Sequence, residues 1–180
     1  MKSQEKAYSN SLLEVVKAVN STLDRQEVLN LLVSNVTQVM GLKASAIRLL
    51  DPRKENLELV ASHGLSEQYL NKGPVDADKS ISDAMEGKTI SVYNVIEDPR
   101  AQYPNEAKAE GIASIVSVPM RIKGRIIGVM RLYTPEFREF SEDEINSAEV
   151  LAEIGAIAIE NAKMYERIKE DYESIMRNLY

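Results

Sequence analysis

The stretch IASIVSVPMRIKGRIIGVMRLY, residues 112–133, decides the fold of this chain. Two apolar runs, residues 112–122 and 125–133, lie on either side of the two-residue turn Lys123-Gly124. Strand-forming runs joined by a two-residue turn that contains glycine are typical of a β-hairpin. We therefore expect these residues to form two neighbouring antiparallel strands at the centre of the molecule.

The turn also predicts which side chains share a face of the sheet, because side chains alternate along a strand. Counting back from the turn, we expect Val116 opposite Arg131 and Ser114 opposite Tyr133. These four residues would share one face. The other face would then hold four residues suited to packing against helices: Ile115, Ser117, Met130 and Leu132.

The sequence on either side of the hairpin alternates between helical and strand periods. Asp24, with Glu27 at the capping-box position, begins a helix that ends at Gly41, and Ser141, with Glu144, begins another. Further elements are predicted at residues 9–23 (helix), 44–50 and 57–62 (strands), 80–86 (short helix), 89–95 (strand) and 104–110 (helical turn). This order predicts an α+β fold with a central antiparallel sheet.

Composition excludes several classes of function. The 180 residues carry a net charge of −6 and include one histidine and no cysteine. Without cysteine there are no disulfides, thiolate nucleophiles or zinc–thiolate sites, and His63 alone cannot build a triad or a metal site. No basic patch indicates nucleic acid, and neither a membrane span nor a signal peptide is evident. We expect a cytoplasmic protein that is not an enzyme and needs no metal or cofactor.

Apolar residues recur at heptad spacing from residue 151 to the C terminus, as in a coiled coil. A helix from Ser141 to the end would span about 55 Å at 1.5 Å per residue, so its last turns should overhang a domain of this size. We expect the overhang to pair with the same helix of a second subunit. The alternative is that the whole stripe packs on the domain's own sheet. The predicted dimer interface comprises Leu151, Ile154, Ala158, Asn161, Tyr165, Ile168, Tyr172, Ile175 and Leu179.

Several motifs resemble those of the GAF domain family. They are Asp98-Pro99-Arg100, Tyr103-Pro104-x-Glu106-Ala107-Lys108-x-Glu110-Gly111-Ile112, residues 114–120 and 124–133 of the hairpin, Phe140-Ser141-x-x-Glu144, and Ile157-Ala158-Ile159-Glu160-Asn161-Ala162-x-x-Tyr165-Glu166. The resemblance covers about residues 10–166. It implies a central antiparallel sheet with the terminal helices on one face and, on the other, a ligand pocket closed by loops and short helices. Because GAF domains sense many ligands or none, function depends on the site.

The residues present narrow the subtypes of this family. Bilin attachment and free methionine sulfoxide reduction require cysteines, and haem ligation would have only His63. Cyclic-nucleotide-binding members have an Asn-Lys…Phe…Asp-Glu signature. This chain has Asn71-Lys72 and Phe140-x-x-Asp143-Glu144, but the spacing differs, and the helix cap already explains Ser141 and Glu144. These observations disfavour cyclic-nucleotide binding.

Two arginines interrupt runs of apolar residues that are predicted to form strands. Arg48 lies within residues 46–50, and Arg131 lies within residues 129–133. In the predicted register Arg131 shares the pocket face with Ser114 and Val116, and Arg48 lies on a neighbouring strand. Two guanidiniums on an apolar concave face could bind a carboxylate or phosphate through paired hydrogen bonds. The alternative is an internal ion pair with one of three carboxylates: Asp98, Glu58 or Asp51.

The resemblance adds Tyr93, Asp98 and Tyr103, which fall in the segment that closes the pocket in this family. Together these features predict a sensory or regulatory domain over residues 1–162, with a coiled-coil-like extension over residues 163–180. It would bind a small ligand, with anions among the candidate classes, form a homodimer and act on a signalling partner protein. A ligand-free dimerisation or scaffold module is the alternative.

Overall fold

The computed structural model describes residues 24–51, 56–76 and 82–179, together with five isolated positions near the N terminus, Asn10, Leu13, Glu14, Val16 and Lys17. These five positions have helical backbone. The rest of the helix predicted over residues 9–23 lies outside the described residues. So do the turn residues 52–55 and the beginning of the helix predicted over residues 80–86.

From residue 24 onward, the described part of the chain forms five helices and six strands. They are α1 (Arg25–Val39), β1 (Ala44–Leu50), β2 (Asn56–His63), α2 (Glu67–Leu70), β3 (Val75–Asp76), α3 (Ser82–Met85), β4 (Ile90–Val92), α4 (Pro104–Glu110), β5 (Ser114–Ile122), β6 (Arg125–Thr134) and α5 (Glu142–Leu179). The strands form a single antiparallel sheet in the order β3-β2-β1-β6-β5-β4. The predicted α+β class is confirmed.

Two helices begin at the predicted capping residues. The Asp24 carboxylate accepts hydrogen bonds from the backbone N–H groups of Gln26 at 2.8 Å and Glu27 at 3.1 Å. At the start of α5, the Glu144 backbone N–H donates to Ser141 Oγ at 3.3 Å, and the Ser141 backbone N–H donates to Glu144 Oε2 at 2.9 Å. Both caps satisfy backbone groups that a helix start leaves without a partner.

Helices α1 and α5 pack on one face of the sheet and form the main hydrophobic core. Gly155 of α5 contributes to this packing, because a Cβ there would collide with Leu32. Representative core residues are Leu29, Leu32 and Val36 of α1, Ile47 of β1, Val116 and Val118 of β5, Met130 and Leu132 of β6, and Leu151 and Ile159 of α5. The two helices therefore cover this face of the sheet.

The predicted register of the hairpin is wrong by one residue along most of its length. Ile122 pairs with Arg125 as predicted, but Met120 pairs with Gly128. Ile127 is therefore an extra residue on β6, which makes a β-bulge. Every residue of β6 beyond the bulge is displaced by one position relative to β5, and this exchanges the faces of the β5 side chains.

The bulge moves two predicted site residues away from the pocket. Arg131 pairs with Ser117 rather than with Val116, and Val116 is buried in the core beneath α1 and α5. Ser114 pairs with Thr134 and lies on the same helix-covered face as Val116. The prediction that Ser114 and Val116 face the pocket with Arg131 is therefore wrong.

Helix α5 comprises 38 residues, or about 57 Å at 1.5 Å per residue. Leu151 and Ala158, both predicted in the dimer interface, are only 3% and 6% exposed, because the first half of α5 packs on the chain's own sheet. Each side chain from residue 164 to residue 177 is exposed. Leu179 belongs to α5, but its side chain lies outside the described residues. None of the helices in the described part of the chain is both long and apolar enough to cross a membrane.

Candidate functional site

Two neighbouring arginines lie on the largely apolar sheet face opposite the long helices. Arg131 on β6 pairs with Ala46, and Arg48 on β1 pairs with Val129. Paired residues of adjacent strands share a face, so the two arginines are diagonal neighbours on this face. The Cα atoms of such neighbours are roughly 7–8 Å apart. Arg48 is 4% exposed and Arg131 is 6% exposed. The two guanidinium groups are thus buried close together, as the sequence predicts.

Apolar clusters lie on both sides of this pair along β1 and β6. The first includes Ala44, Ala46, Tyr69, Ile115 and Tyr133. The second consists of Leu57, Val75, Ala84 and Val129. Because these clusters exclude water, each guanidinium loses most of the solvation that would stabilise its charge.

Neither arginine has a carboxylate within ion-pair distance among the described residues. A terminal nitrogen of Arg48 donates to the Leu57 carbonyl at 3.2 Å. The Nε atoms of Arg48 and Arg131 are buried without a hydrogen-bond acceptor in the described part of the chain. The site therefore contains two buried positive charges with unused donors.

The predicted internal ion pairs are not found among the described carboxylates. Asp98 pairs instead with Arg100, whose hydrogen bonds hold the pKa of Asp98 below its usual range. Glu58 is exposed. Asp51 accepts a hydrogen bond from the Asn56 backbone N–H at 3.3 Å.

Lys72, which follows α2, adds a third cation. Its Nζ donates to the Tyr69 carbonyl at 3.1 Å and lies 3.7 Å from the centroid of the Tyr69 ring and 5.7 Å from that of the Tyr103 ring. Burial, followed by the positive charges of Arg48 and Arg131, lowers the pKa of Lys72 from its ordinary 10.5 to about 7. The three side chains Arg48, Lys72 and Arg131 form the cation cluster.

A lid, residues 93–110, covers the cation cluster. The Tyr103 hydroxyl donates to the Pro74 carbonyl at 2.7 Å, and the Gln102 amide donates to the same oxygen at 3.2 Å. Gly73 has a φ of 128°, and a Cβ there would lie 2.7 Å from the Tyr103 hydroxyl. Glycine at this position therefore permits both the backbone conformation and the close approach of the lid.

Between the lid and the sheet lies a narrow cleft. It holds about 10 Å³ of space for a water-sized sphere, which is roughly room for one water molecule. Ligand pockets usually measure about 300–1,000 Å³. The cleft is lined by Tyr69, Lys72, Val95, Ala101, Gln102, Tyr103, Ile115 and Arg131. With the lid closed, the chain's own side chains fill most of the site.

Three of the seven predicted ligand-binding residues meet at this cleft. Arg131 and Tyr103 line it, and Arg48 adjoins Arg131 on the sheet. The other four lie elsewhere: Tyr93, Asp98, Ser114 and Val116. The segment that the resemblance indicated does lie over the cleft. Of its three predicted residues, Tyr103 lines the cleft, whereas Tyr93 and Asp98 do not.

Tyr93 and Ser114 have structural contacts instead. Tyr93 is 51% exposed, and its ring packs on Phe137 with the centroids 5.5 Å apart. The Ser114 hydroxyl donates to the Tyr93 carbonyl at 2.6 Å and accepts from the Arg138 backbone N–H at 3.0 Å. Ser114 thus fastens the beginning of the lid to the segment that follows β6.

Sequence reasoning missed Tyr69 and Lys72, because α2 is a helix of only four residues in a stretch predicted as loop. One signal was present: Ser66 is a good N-cap residue, and its hydroxyl accepts from the Tyr69 backbone N–H at 3.2 Å. Lys72 was noted only within the cyclic-nucleotide signature. The second half of that signature, residues 140–144, does not contribute to the cleft. Its Glu144 caps α5 and pairs with Arg138.

The outer side of α5 is a second candidate surface. Its exposed stripe consists of Ile157, Met164, Tyr165, Ile168, Tyr172 and Ile175, each between 45% and 67% exposed. Asn161 lies within the exposed stripe and is also exposed, and Ile154 is half-buried at its start. The predicted heptad pattern begins at Leu151 and does not include Ile157 or Met164. In the structure these two side chains face outward, whereas Leu151 and Ala158 face the core. A groove of about 560 Å³ between α5 and the hairpin turn adjoins Ile157 and Met164.

In the ranges that the structure describes, no three His, Asp or Glu side chains come together in a way that could hold a metal ion. His63 is exposed at the end of β2, the strand end where the sequence places it.

Comparison with known proteins identifies related sequences and folds. A family model described as GAF domain matches residues 22–160. The formate hydrogenlyase transcriptional activator of Salmonella typhimurium is 25% identical over 164 residues, which cover 87% of this chain and 24% of that protein. The methyl sulfide methyltransferase-associated sensor of Methanosarcina acetivorans is 26% identical over 163 residues, which cover 87% of this chain and 16% of that protein.

The fold is shared with solved structures as well. The GAF domain from a phosphoenolpyruvate-protein phosphotransferase of Coxiella burnetii superposes with a TM-score of 0.79 at 18% sequence identity, over 90% of this chain and 98% of that one. The chain spans about a quarter or less of the length of the curated relatives it matches.

Proposed function

Since this chain belongs to the GAF domain family, we propose that it is a sensory or regulatory domain that binds a small anion in the cleft and forms a homodimer through α5. The observation that supports anion binding most directly is the cation cluster. Arg48, Lys72 and Arg131 converge from three elements, and none has a carboxylate within ion-pair distance in the described part of the chain.

The energetic argument follows from the burial of these charges. A buried charge without a partner costs several kcal/mol, so two adjacent buried guanidiniums destabilise the ligand-free domain. An anion between Arg48 and Arg131 would offset this cost. It would also accept charge-assisted hydrogen bonds from the two Nε atoms that have no acceptor among the described residues.

The size of the cleft limits the ligand class. About 10 Å³ of space is available between the lid and the sheet, which is roughly room for one water molecule. Even a small carboxylate, or an oxyanion such as phosphate or sulfate, would therefore require the lid to move outward, and we propose ligands of this size because they demand the smallest movement. Two hydrogen bonds to the Pro74 carbonyl hold the lid near the cleft, and each is worth only about 0.5–1.5 kcal/mol.

A ligand-free scaffold or dimerisation module is the second candidate function. The filled cleft favours it, because a pocket occupied by the chain's own side chains needs no ligand. The cation cluster favours the anion-binding module, because side chains that only fill space would be expected to be neutral or paired. The two candidates therefore predict different responses to added anions: an anion stabilises the binding module and has no specific effect on the scaffold.

Dimerisation is proposed from the exposed stripe on α5. Ile168, Tyr172 and Ile175 are 67%, 62% and 59% exposed, and they follow one another at coiled-coil spacing. Large apolar side chains repeated along one side of a helix are typical of a surface that pairs with a second helix. The interface we propose starts near Ile154 and includes Ile157 and Met164.

A connected set of contacts links the lid with α5. The Tyr93 carbonyl accepts from Ser114, the Ser114 hydroxyl accepts from the Arg138 backbone, and the Arg138 guanidinium pairs with Glu144 on α5. We propose that anion binding changes the lid and, through these contacts, the preferred position of α5. A partner protein would respond to that change.

The names of the two relatives, a transcriptional activator and a sensor, describe regulatory proteins. Their similarity to this chain covers only a fraction of their length, and we propose a comparable regulatory role for this chain. We also propose that it is a binding domain rather than an enzyme, which rests on the absence of cysteine and the single histidine in its sequence.

A thermal-shift screen tests this function. Formate, acetate, phosphate and sulfate are added at millimolar concentrations to the wild-type protein, with chloride as the control for ionic strength. We expect at least one anion to raise the Tm of the wild type and of the control variant Arg125→Glu, which alters an exposed arginine at the hairpin turn. The same anion should have no effect on Arg131→Glu or on Arg131→Met, which keeps the buried volume similar. Stabilisation that persists in both Arg131 variants would overturn anion binding at this site.

A further inference from the structure

We propose that binding of an anion in the cleft is coupled to the uptake of one proton by Lys72, so that this domain responds to pH as well as to its ligand. This inference rests on the proposed anion site and adds a regulatory property to it. It assigns to Lys72 a role distinct from that of the two arginines, which keep their charge at every physiological pH.

The position of Lys72 differs from that of an ordinary surface lysine. Its Nζ donates to the Tyr69 carbonyl at 3.1 Å and lies 3.7 Å from the centroid of the Tyr69 ring. The side chain is half-buried and lines the cleft together with Arg131 and Tyr103. The carbonyl and the ring face favour the ammonium form, but burial removes part of the hydration of the ammonium and is the largest of the influences that lower the pKa of Lys72.

The charged groups around Lys72 come from three elements. Arg48 faces it from β1 and Arg131 from β6, and both disfavour a third positive charge. On α4, Glu106 and Glu110 favour the charged form, but neither lies within ion-pair distance of Lys72. The nearest phenols belong to Tyr69 and Tyr103.

The carboxylate of Glu110 already has partners of its own. It accepts hydrogen bonds from the backbone N–H and the hydroxyl of Ser66 and lies 3.8 Å from Lys43 Nζ. Its negative charge is therefore shared with Ser66 and Lys43. Burial, aided by the two arginines, consequently outweighs the carboxylates and lowers the pKa of Lys72 to about 7.

An anion in the cleft would favour the charged form of Lys72. Its negative charge lies beside Arg131 and Lys72, and an opposite charge within a few ångströms favours the ammonium form. At pH values above the pKa of the free site, binding therefore draws a proton from solvent onto Lys72 Nζ. Thermodynamic linkage then requires the affinity to fall by up to tenfold for each pH unit above about 7, until the pKa of the bound state is reached.

Calorimetric titration with formate and with sulfate tests the coupling, since neither probe changes its ionisation between about pH 6 and pH 9. Each titration is repeated in two buffers with different ionisation enthalpies, because the difference in heat counts the protons taken up. Four proteins are compared: the wild type, Lys72→Arg, Lys72→Met and the control Lys88→Met. Lys88 is an exposed lysine that pairs with Glu86 and does not line the cleft.

We expect the wild type and Lys88→Met to take up close to one proton per anion at pH 8 and to lose affinity as the pH rises. Lys72→Arg should bind with little dependence on pH, since an arginine stays charged, and Lys72→Met should bind weakly at every pH. Anion binding by the wild type with no proton uptake would overturn the coupling and leave the anion site standing. The absence of binding at any pH would overturn both.

Discussion

The hydroxyl of Tyr103 donates a 2.7 Å hydrogen bond to the carbonyl oxygen of Pro74, and this contact closes the lid over the cation cluster. It joins α4, where Tyr103 is the N-cap residue, to the segment between α2 and β3. Together with the hydrogen bond from the Gln102 amide to the same oxygen, it holds the lid next to this segment. Tyr103 also lines the cleft beside Arg131.

Replacing Tyr103 by phenylalanine should loosen the lid without changing its apolar packing. We expect Tyr103→Phe to lower the free energy of unfolding by about 0.5–1.5 kcal/mol, the usual net value of one hydrogen bond. Amide hydrogen exchange at residues 101–103 should become faster. Tyr93→Phe, which alters an exposed ring elsewhere on the lid, is the control. Unchanged exchange in Tyr103→Phe would mean that the hydroxyl does not hold the lid.

Removing one buried charge should stabilise the ligand-free protein. Arg131 has a buried Nε without an acceptor in the described part of the chain, so we expect Arg131→Met to raise the free energy of unfolding by about 1 kcal/mol or more. Arg138 is the matched control, because its guanidinium pairs with Glu144 and donates to the Met40 carbonyl at 3.1 Å. Arg138→Met should destabilise by about 1–3 kcal/mol in the same urea titration. An equal loss of stability in both variants would mean that Arg131 has a stabilising partner, and it would contradict its assignment as an unpaired buried charge.

Stability should depend on pH through Lys72. Its pKa is about 7 in the folded protein and 10.5 ordinarily, so between these values the unfolded chain binds more protons than the folded one. The free energy of unfolding of the ligand-free wild type should therefore rise with pH over this window relative to that of Lys72→Met. Urea titrations at about pH 7, 8 and 9 measure the difference. A difference between the two proteins that stays constant with pH would contradict a depressed pKa.

The exposed stripe should hold the dimer together. We expect the double variant Ile168→Ser/Ile175→Ser to shift the protein from dimer to monomer at micromolar concentration, measured by light scattering after size exclusion. Glu170→Ser/Arg177→Ser is the matched control, since these residues lie on the opposite side of α5 and the pair leaves the net charge unchanged. A wild type that is already monomeric at high concentration would contradict the proposed interface.

Local patterns predicted most of the elements correctly. β1 and α4 have the predicted bounds, and α5 begins at the predicted cap, because strand period, proline at the first helical turn and capping residues act within a few positions. The β-bulge at Ile127 was not predictable in this way. Its position depends on how β6 meets β5, which no short stretch of sequence specifies.

In the candidate site as well, local sequence patterns predicted some residues, and tertiary contacts determined the others. Arg48 and Arg131 stood out because a charged residue within an apolar strand breaks a local pattern. Lys72 and Tyr69 did not, because they come to the cleft through a helix of four residues whose position depends on the rest of the fold. Leu151 and Ala158 were misplaced for a related reason, since a heptad pattern alone does not show which side of a long helix the domain itself covers.

Side-chain NMR of the arginines tests the anion site most directly. The Nε–H groups of Arg48 and Arg131 have no acceptor among the described residues, and an anion between them would supply one. As formate or sulfate is titrated, both Nε–H resonances should shift and reach saturation, while that of the exposed Arg125 stays unchanged. If neither resonance of the pair shows a saturable change with any small anion tested, the cation cluster does not bind an anion, and the scaffold interpretation of this GAF domain is favoured.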